Sequence, residues 1–284
     1  MALREMLQET KRDFQAREIP PVDAELLLAH VLGISRMELH AKEFHLSPEQ
    51  HDEYLQLCRE RSSGIPTQYL IGSAPFRHLN FEVGAGVLIP RPETEMMVDA
   101  ALTEIQFRTQ PVSIVDLGSG SGAIAISLGY EASQRGVAVT VVAVEKEESA
   151  LVWLRRNIAL HQDKFPSEIR VVAADVSDAL RDVKSDLVVA NPPYIPRGTT
   201  LPTIVERNEP ASALFGGDGD GLEVPRRFVD AATRILKKDG VLFLEHFENQ
   251  RVTLEHYLAR DYRDISSFQD LNGRDRMIRA RRGV

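Results

Sequence analysis

Four residues near the middle of the chain, Asn191-Pro192-Pro193-Tyr194, put one amide and one aromatic ring on a rigid corner. They follow an apolar run, 187–190, that reads as a buried strand. Proline cannot donate to a sheet ladder, so the strand must stop there. A corner of this kind suits a planar nitrogen, an amide or exocyclic amine, that must attack an electrophilic methyl group. The lone pair of such a nitrogen is delocalised, and its two N–H bonds have to be aimed. The side-chain carbonyl of Asn191 can accept one hydrogen and the backbone carbonyl of Pro192 the other. Both acceptors are held in place by proline's restricted backbone before any substrate arrives. Tyr194 offers a flat face for the amide or base to lie against. Positioning alone can lower a barrier by several kcal/mol, up to roughly 7–11 in favourable cases.

A second constellation lies upstream in "VDLGSGSGAIAI". Gly118, Gly120 and Gly122, with Ser119 and Ser121 between them, separate a strand pattern from a helix pattern. Glycine lets the backbone approach a ligand closely. The spacing also fits a dinucleotide fingerprint if Ala123 stands for its last glycine, so alone it serves either NAD or an adenosyl cofactor. Glu145 closes the next strand pattern and can accept from the two hydroxyls of a ribose, while Asp175 closes the third and can receive an adenine amino group. An NAD oxidoreductase or an adenosine-binding module would use the glycines but leave the Asn-Pro-Pro-Tyr corner idle. A sulfonium methyl donor gives both constellations work.

The elements needed to position these groups follow from periodicity. From about residue 112, "SIVDLG", "TVVAVE", "IRVVAAD", "SDLVVAN" and "GVLFLEH" have strand length and alternate with helical spacing. That alternation predicts a Rossmann-like α/β domain with a mostly parallel sheet whose carboxyl edge binds ligand. "DISSFQD" and "RDRMIRARR", joined through "NG", predict a terminal antiparallel hairpin that brings the sheet to seven strands. The first ~75 residues read as helices, among them "SPEQHDEYLQLCRERSSG" with Ser47 as cap and Pro48 at the first position. "FRHLNFEVGAGVLIP" alternates as a linking hairpin. The expected organisation is a helical docking domain (1–74), a hairpin linker (75–90) and a catalytic domain (91–284). The glycine-rich "FGGDGDGLEVP" lacks the lysine of a phosphate-binding loop and is expected to be mobile over the site, and Trp153 is expected in the core.

Composition narrows the field. The 284 residues carry a formal net charge of -8, the opposite of what a phosphate-backbone gripper usually needs. A direct nucleic-acid partner is therefore not expected, and the basic end "RDRMIRARR" reads as a solvated face. Cys58 is the single cysteine, which excludes an intrachain disulfide and a cysteine-built metal site. The 8 histidines show no ligand spacing, so no metal is expected. No apolar run approaches the ~20 residues of a membrane span, and "MALREMLQETKRDF" is an amphipathic helix pattern, not a signal peptide. A cytoplasmic enzyme is the expectation.

"DLGSGSGAIAI", "NPPYIP" and the terminal hairpin resemble the class I S-adenosylmethionine-dependent methyltransferases. More narrowly, "IPRPETE", "NPPYIP", "NEPASALFGGDGDGL" and "LEHFENQ" resemble the HemK/PrmC family, the glutamine methyltransferases that modify the GGQ loop of peptide chain release factors. The resemblance spans nearly the whole chain and includes a helical amino-terminal domain that in the family helps hold the release factor. It implies S-adenosyl-L-methionine as cofactor and S-adenosyl-L-homocysteine as product. Residues 118–122, Glu145, Asp175, Val176 and Asn191 would bind the cofactor. Asn191, Pro192, Pro193 and Tyr194 would bind the substrate amide, and Asn191, Pro192 and Tyr194 would carry catalysis. Arg91 and Glu93 are read both as lining the substrate entrance and as bracing the linker, and the enzyme is expected to be a monomer. Two departures stand out. Glu145 replaces an aspartate common among relatives, and Phe247 replaces a glycine at a place expected to lie away from the chemistry. A ribosomal-protein glutamine methyltransferase would share the corner; an adenine-N6 nucleic-acid methyltransferase would need a basic groove and a flipped base.

Overall fold

The computed structural model describes residues 3–283. It divides into two compact units, one made of residues up to Ser73 with 201–208, the other of 74–200 with 209–284.

The first unit is helical: α1 (Leu3–Ala16), α2 (Val22–Leu32), α3 (Arg36–Ala41), α4 (Pro48–Ser62) and α5 (Thr67–Ile71). Helix α4 starts as its sequence dictates. Ser47 Oγ accepts from Gln50 N, Gln50 reaches back to the Ser47 N–H, and Pro48 needs no partner at the first position. Phe14, Leu27, Leu28 and Tyr54 are fully buried among these helices, and Cys58 packs with them. Burial pushes the Cys58 thiol up to about 11, so it is a packing residue. Burial also works against ionisation of Glu25, yet hydrogen bonds from Lys11, Arg36 and His40 outweigh it and hold that carboxyl at about 2. Asn208 ties the late segment into this unit by donating to the Gly64 carbonyl at 2.8 Å. No shift in composition marks 201–208 as part of it.

The second unit begins with a hairpin, β1 (Ser73–Phe76) and β2 (Leu79–Glu82), followed by a short 3-10 turn, Pro92–Thr94, and α6 (Glu95–Ile105). Then come β3 (Val112–Leu117), α7 (Ala123–Gln134), β4 (Val139–Glu145), α8 (Glu148–His161), β5 (Ile169–Ala173), β6 (Ser185–Ala190) and β7 (Ile195–Pro196). The short helix α9 (Thr203–Asn208) lies in the excursion into the first unit. The chain then continues with α10 (Ala211–Leu214), β8 (Phe215–Gly217), α11 (Glu223–Ile235), β9 (Leu236–Glu245), α12 (Arg251–Leu258), β10 (Tyr262–Gln269) and β11 (Asp275–Arg282). The main sheet has the order β10-β11-β9-β6-β3-β4-β5. Strands β9, β6, β3, β4 and β5 run parallel, and β11 pairs antiparallel with β9 and β10. The inner strands are apolar on both faces and packed by helices on each side, as buried parallel strands must be. The strand order reverses between β3 and β6, where the connections switch faces, and open sheets bind ligands at such a point. Among the described residues no helix is long and apolar enough to cross a membrane.

Two expectations fail here. Trp153 is not in the core: it is half-buried, and its indole N–H donates to the Ala85 carbonyl at 3.2 Å. A Cβ on Gly84 would sit 2.5 Å from its ring, so the indole clamps the glycine turn that follows the hairpin. Nor is "FGGDGDGLEVP" a free flap. Strand β8 pairs with β7, and a Cβ on Gly216 would lie 2.1 Å from the Gly221 carbonyl and 2.8 Å from that of Pro193. Bare glycine backbone is what lets this loop press against the corner.

Candidate active site

At the carboxyl edge of the sheet, β3 ends and the chain turns through residues 118–122 into α7. Gly118, Gly120 and Gly122 all have positive φ, 70°, 54° and 84°. At Gly122 the reason is packing, since a Cβ would fall 2.7 Å from Leu154 Cδ1. At Gly120 there is nothing within 4 Å of the missing Cβ, so the backbone faces open space. The loop is braced from behind by Asn157, which is fully buried. Its Nδ2 donates to the Ser121 and Glu82 carbonyls at 2.9 and 3.0 Å, and its Oδ1 accepts from Glu82 N at 2.7 Å.

Gly118, Ser119, Gly120 and Ser121 line a cavity of about 790 Å³ together with Glu145, Asp175, Val176, Asn191 and Pro193. Ligand clefts span roughly 300–1,000 Å³, so this one has room for a nucleoside-sized group and a reacting side chain. Glu145 Oε2 accepts from Gly120 N at 2.8 Å, and Oε1 accepts from Lys146 N and Glu147 N at 2.7 and 2.9 Å. Oε1 is filled by its two backbone donors, and Oε2 keeps a lone pair for a hydroxyl. Asp175 is engaged more fully than its sequence position suggests. Arg227 Nη2 donates to both its oxygens at 3.0 and 3.1 Å, and Ser177 N donates to Oδ1 at 2.9 Å. Burial raises the Asp175 carboxyl, but these hydrogen bonds with the Arg227 and Lys146 charges hold it below the ordinary range. Behind the loop, burial pushes Asp116 up to about 7; one of its oxygens accepts from Ala125 N at 3.2 Å and the other has no partner.

The corner after β6 is anchored on three sides. Asn191 Nδ2 donates to Thr94 Oγ1 at 3.1 Å, and Thr94 donates to Glu245 Oε2 at 2.6 Å. The Tyr194 hydroxyl donates to Glu245 Oε1 at 3.0 Å, while Gln250 Nε2 donates to the Tyr194 and Asp220 carbonyls at 2.8 Å each. Thr94 and Glu245 are buried, 4% and 2% exposed. Burial lifts the Glu245 carboxyl, with the Glu93 charge adding to it; hydrogen bonds from Thr94 and Tyr194 and the Arg276 charge oppose, leaving it at about 7. Burial and the Glu245 charge push the Tyr194 phenol well up, so it stays protonated.

The predicted residues thus divide. Asn191 and Pro193 reach the cavity wall. Pro192 is buried, and Tyr194 turns its hydroxyl away toward Glu245. Phe247 does not lie away from the site: its ring stacks on Tyr194 at 6.3 Å between centroids. Arg91 lines the cavity but is ion-paired at 2.7 Å with the buried Glu209, which also accepts from Ile89 N. Glu93 sits in the 3-10 turn outside the cavity wall. Thr94, Asn157, Glu209, Arg227, Glu245 and Gln250 were missed. Four lie in stretches already singled out, Thr94 in "IPRPETE", Glu209 in "NEPASALFGGDGDGL" and Glu245 and Gln250 in "LEHFENQ". A buried-strand carboxylate followed by a polar residue was the available signal.

The chain has close counterparts among known proteins. The PrmC N-terminal domain family matches residues 5–72 and the Methyltransferase small domain family residues 95–211. The release factor glutamine methyltransferase of Mycolicibacterium smegmatis is 39% identical over 269 residues, covering 93% of this chain and 91% of that one. The Streptomyces coelicolor protein of the same name is 35% identical over 293 residues, covering 100% and 99%. Among solved structures, a T. thermophilus 16S rRNA methyltransferase in complex with AdoMet and guanosine aligns with a TM-score of 0.51 at 18% identity, over 74% of this chain and 49% of that one, and supports the class I methyltransferase fold. With relatives this similar over nearly their full length, the chain belongs to the release factor glutamine methyltransferase family.

Proposed function

We infer that this chain transfers a methyl group from S-adenosylmethionine to the side-chain amide nitrogen of the GGQ glutamine in a peptide chain release factor. The observation that carries the reading is the shared cavity: Asn191 and the open face of Gly120 line the same space. The residues present fit the cofactor. Open backbone at Gly120 leaves room for it, Glu145 Oε2 has a free lone pair for a ribose hydroxyl, and Val176 with Asp175 offers an apolar floor and a carboxylate edge for adenine. When bound, the cofactor supplies a methyl on a positively charged sulfur.

The protein's part is to aim the nitrogen. Asn191 Oδ1, left free because Nδ2 is bound to Thr94, accepts one amide hydrogen. The Pro192 carbonyl accepts the other. With both N–H bonds held, the lone pair is directed out of the amide plane toward the methyl, and the proton departs afterward. Pro193 shapes the slot, Tyr194 braces the corner from behind through Glu245, and Arg91, neutralised by Glu209, walls its entrance, with Glu93 close by in the turn. The helical unit docks the release factor. We expect a monomer acting in the cytoplasm on protein and not on nucleic acid. Incubating the enzyme with S-adenosylmethionine and a release factor, then mapping the methyl by mass spectrometry, tests this. The expected result is a single methyl on the GGQ glutamine; labelling of a ribosomal protein or of DNA instead would overturn the substrate assignment.

A further inference from the structure

The geometry points to Glu245 as the positioning residue that decides which end of the Asn191 amide faces the substrate. An ionised carboxylate can only accept. Thr94 has a single hydroxyl proton, and with Glu245 Oε2 at 2.6 Å that proton is committed. The remaining lone pairs of Thr94 can then meet only the NH2 end of Asn191, at 3.1 Å. The carbonyl end is thereby turned to the cavity, where an incoming amide N–H needs an acceptor. The other oxygen of Glu245 holds Tyr194 by the same logic at 3.0 Å. Thus one buried carboxylate sets the polarity of the corner from a strand 51 residues beyond Tyr194.

Replacing the carboxylate by its amide reverses the chain of bonds. In Glu245→Gln, Oε1 can accept from Tyr194 while Nε2 donates to Thr94. Thr94 then passes its proton to Asn191 Oδ1, and the NH2 end of Asn191 turns into the cavity. The opposite placement of the glutamine leaves the Tyr194 proton without an acceptor, so the reversed arrangement is favoured. It presents hydrogens to a nitrogen that itself carries hydrogens. Protonation of Glu245 supplies the same extra donor. Burial and the Glu93 charge raise the carboxyl, the hydrogen bonds from Thr94 and Tyr194 and the Arg276 charge lower it, and its titration falls near 7. Activity therefore gains an acidic limb, falling as pH drops through that region.

This rests on Asn191 being the amide acceptor, and the experiment separates the two claims. Single-turnover methyl transfer to the release factor is measured for Asn191→Ala, Glu245→Gln, Thr94→Val and Thr94→Ser, alongside cofactor affinity, Tm and the pH profile. Glu245→Gln should lower turnover on the order of 10²-fold at unchanged cofactor affinity, and lose the acidic limb. Thr94→Val should lower turnover roughly tenfold, and Thr94→Ser, which keeps the hydroxyl, should restore it. The Gln variant should be no less stable above pH 7. Folding raises the Glu245 pKa, so the ionised form opposes folding once pH exceeds the ordinary carboxyl value, and fully above about 7. Should Glu245→Gln fail to fold, the Thr94 pair decides. If Asn191→Ala loses turnover while Glu245→Gln and Thr94→Val keep it, the positioning role is wrong; if Asn191→Ala keeps its rate, the reading of the corner itself falls.

Discussion

The two walls of the cavity are built by opposite strategies. The glycine side is local: residues 118–122 and Glu145 lie within 28 positions of one another, and most of their hydrogen bonds run to backbone in the same two strand ends. The Asn191 side is assembled from distant segments: Thr94, Asn191, Glu245 and Gln250 meet only once the sheet has formed, with 97 positions between Thr94 and Asn191 and 151 between Thr94 and Glu245. Binding a cofactor needs backbone amides and space, which a short loop can give. Fixing the polarity of one amide needs buried side chains that cannot relax, and these come from rigid elements of the core.

That contrast can be broken deliberately. The largest effect should fall on Asn191→Ala, which removes the acceptor and should cut turnover about 10²–10³-fold with cofactor affinity nearly unchanged. An equal loss in both would merge the two walls into one. Glu145→Ala should act on the other side. With several hydrogen bonds gone, cofactor affinity should drop about 10–100-fold by calorimetry, and turnover at saturation should fall much less. Gly216→Ala comes next: its Cβ has backbone, not a flexible side chain, 2.1 Å away, so the corner must shift. Turnover should fall roughly tenfold and Tm by several degrees. The smallest effect is expected for Asp175→Asn, where Arg227 and Ser177 keep the edge in place and affinity should change only about 2–5-fold.

Much of this was legible in the sequence because it is written locally. The β3 strand ending in glycines, the prolines that stop β6, and the hairpin turn before β11 each specify their conformation within a few residues. Ser47 and Pro48 fix the start of α4 in the same way. What escaped was set by tertiary contact. Trp153 sits at an apolar helical spacing, yet its indole serves the turn at Gly84. "FGGDGDGLEVP" has the composition of a mobile loop, but Gly216 and Gly221 pack closely against the backbone of Pro193 and Tyr194. Phe247 looked remote along the chain and stacks on Tyr194 in space. Glu245 and Gln250 ended a strand pattern in plain view, but a carboxylate's partners cannot be read from its neighbours in sequence.

The central claim is that a bonded, one-way amide at Asn191 steers the substrate nitrogen. The most direct test is single-turnover methyl transfer by Asn191→Ala, with both the cofactor and the release factor saturating. The account predicts that both ligands bind and almost no methyl reaches the glutamine. Transfer at the unaltered rate, with the methyl on that same nitrogen, would contradict it.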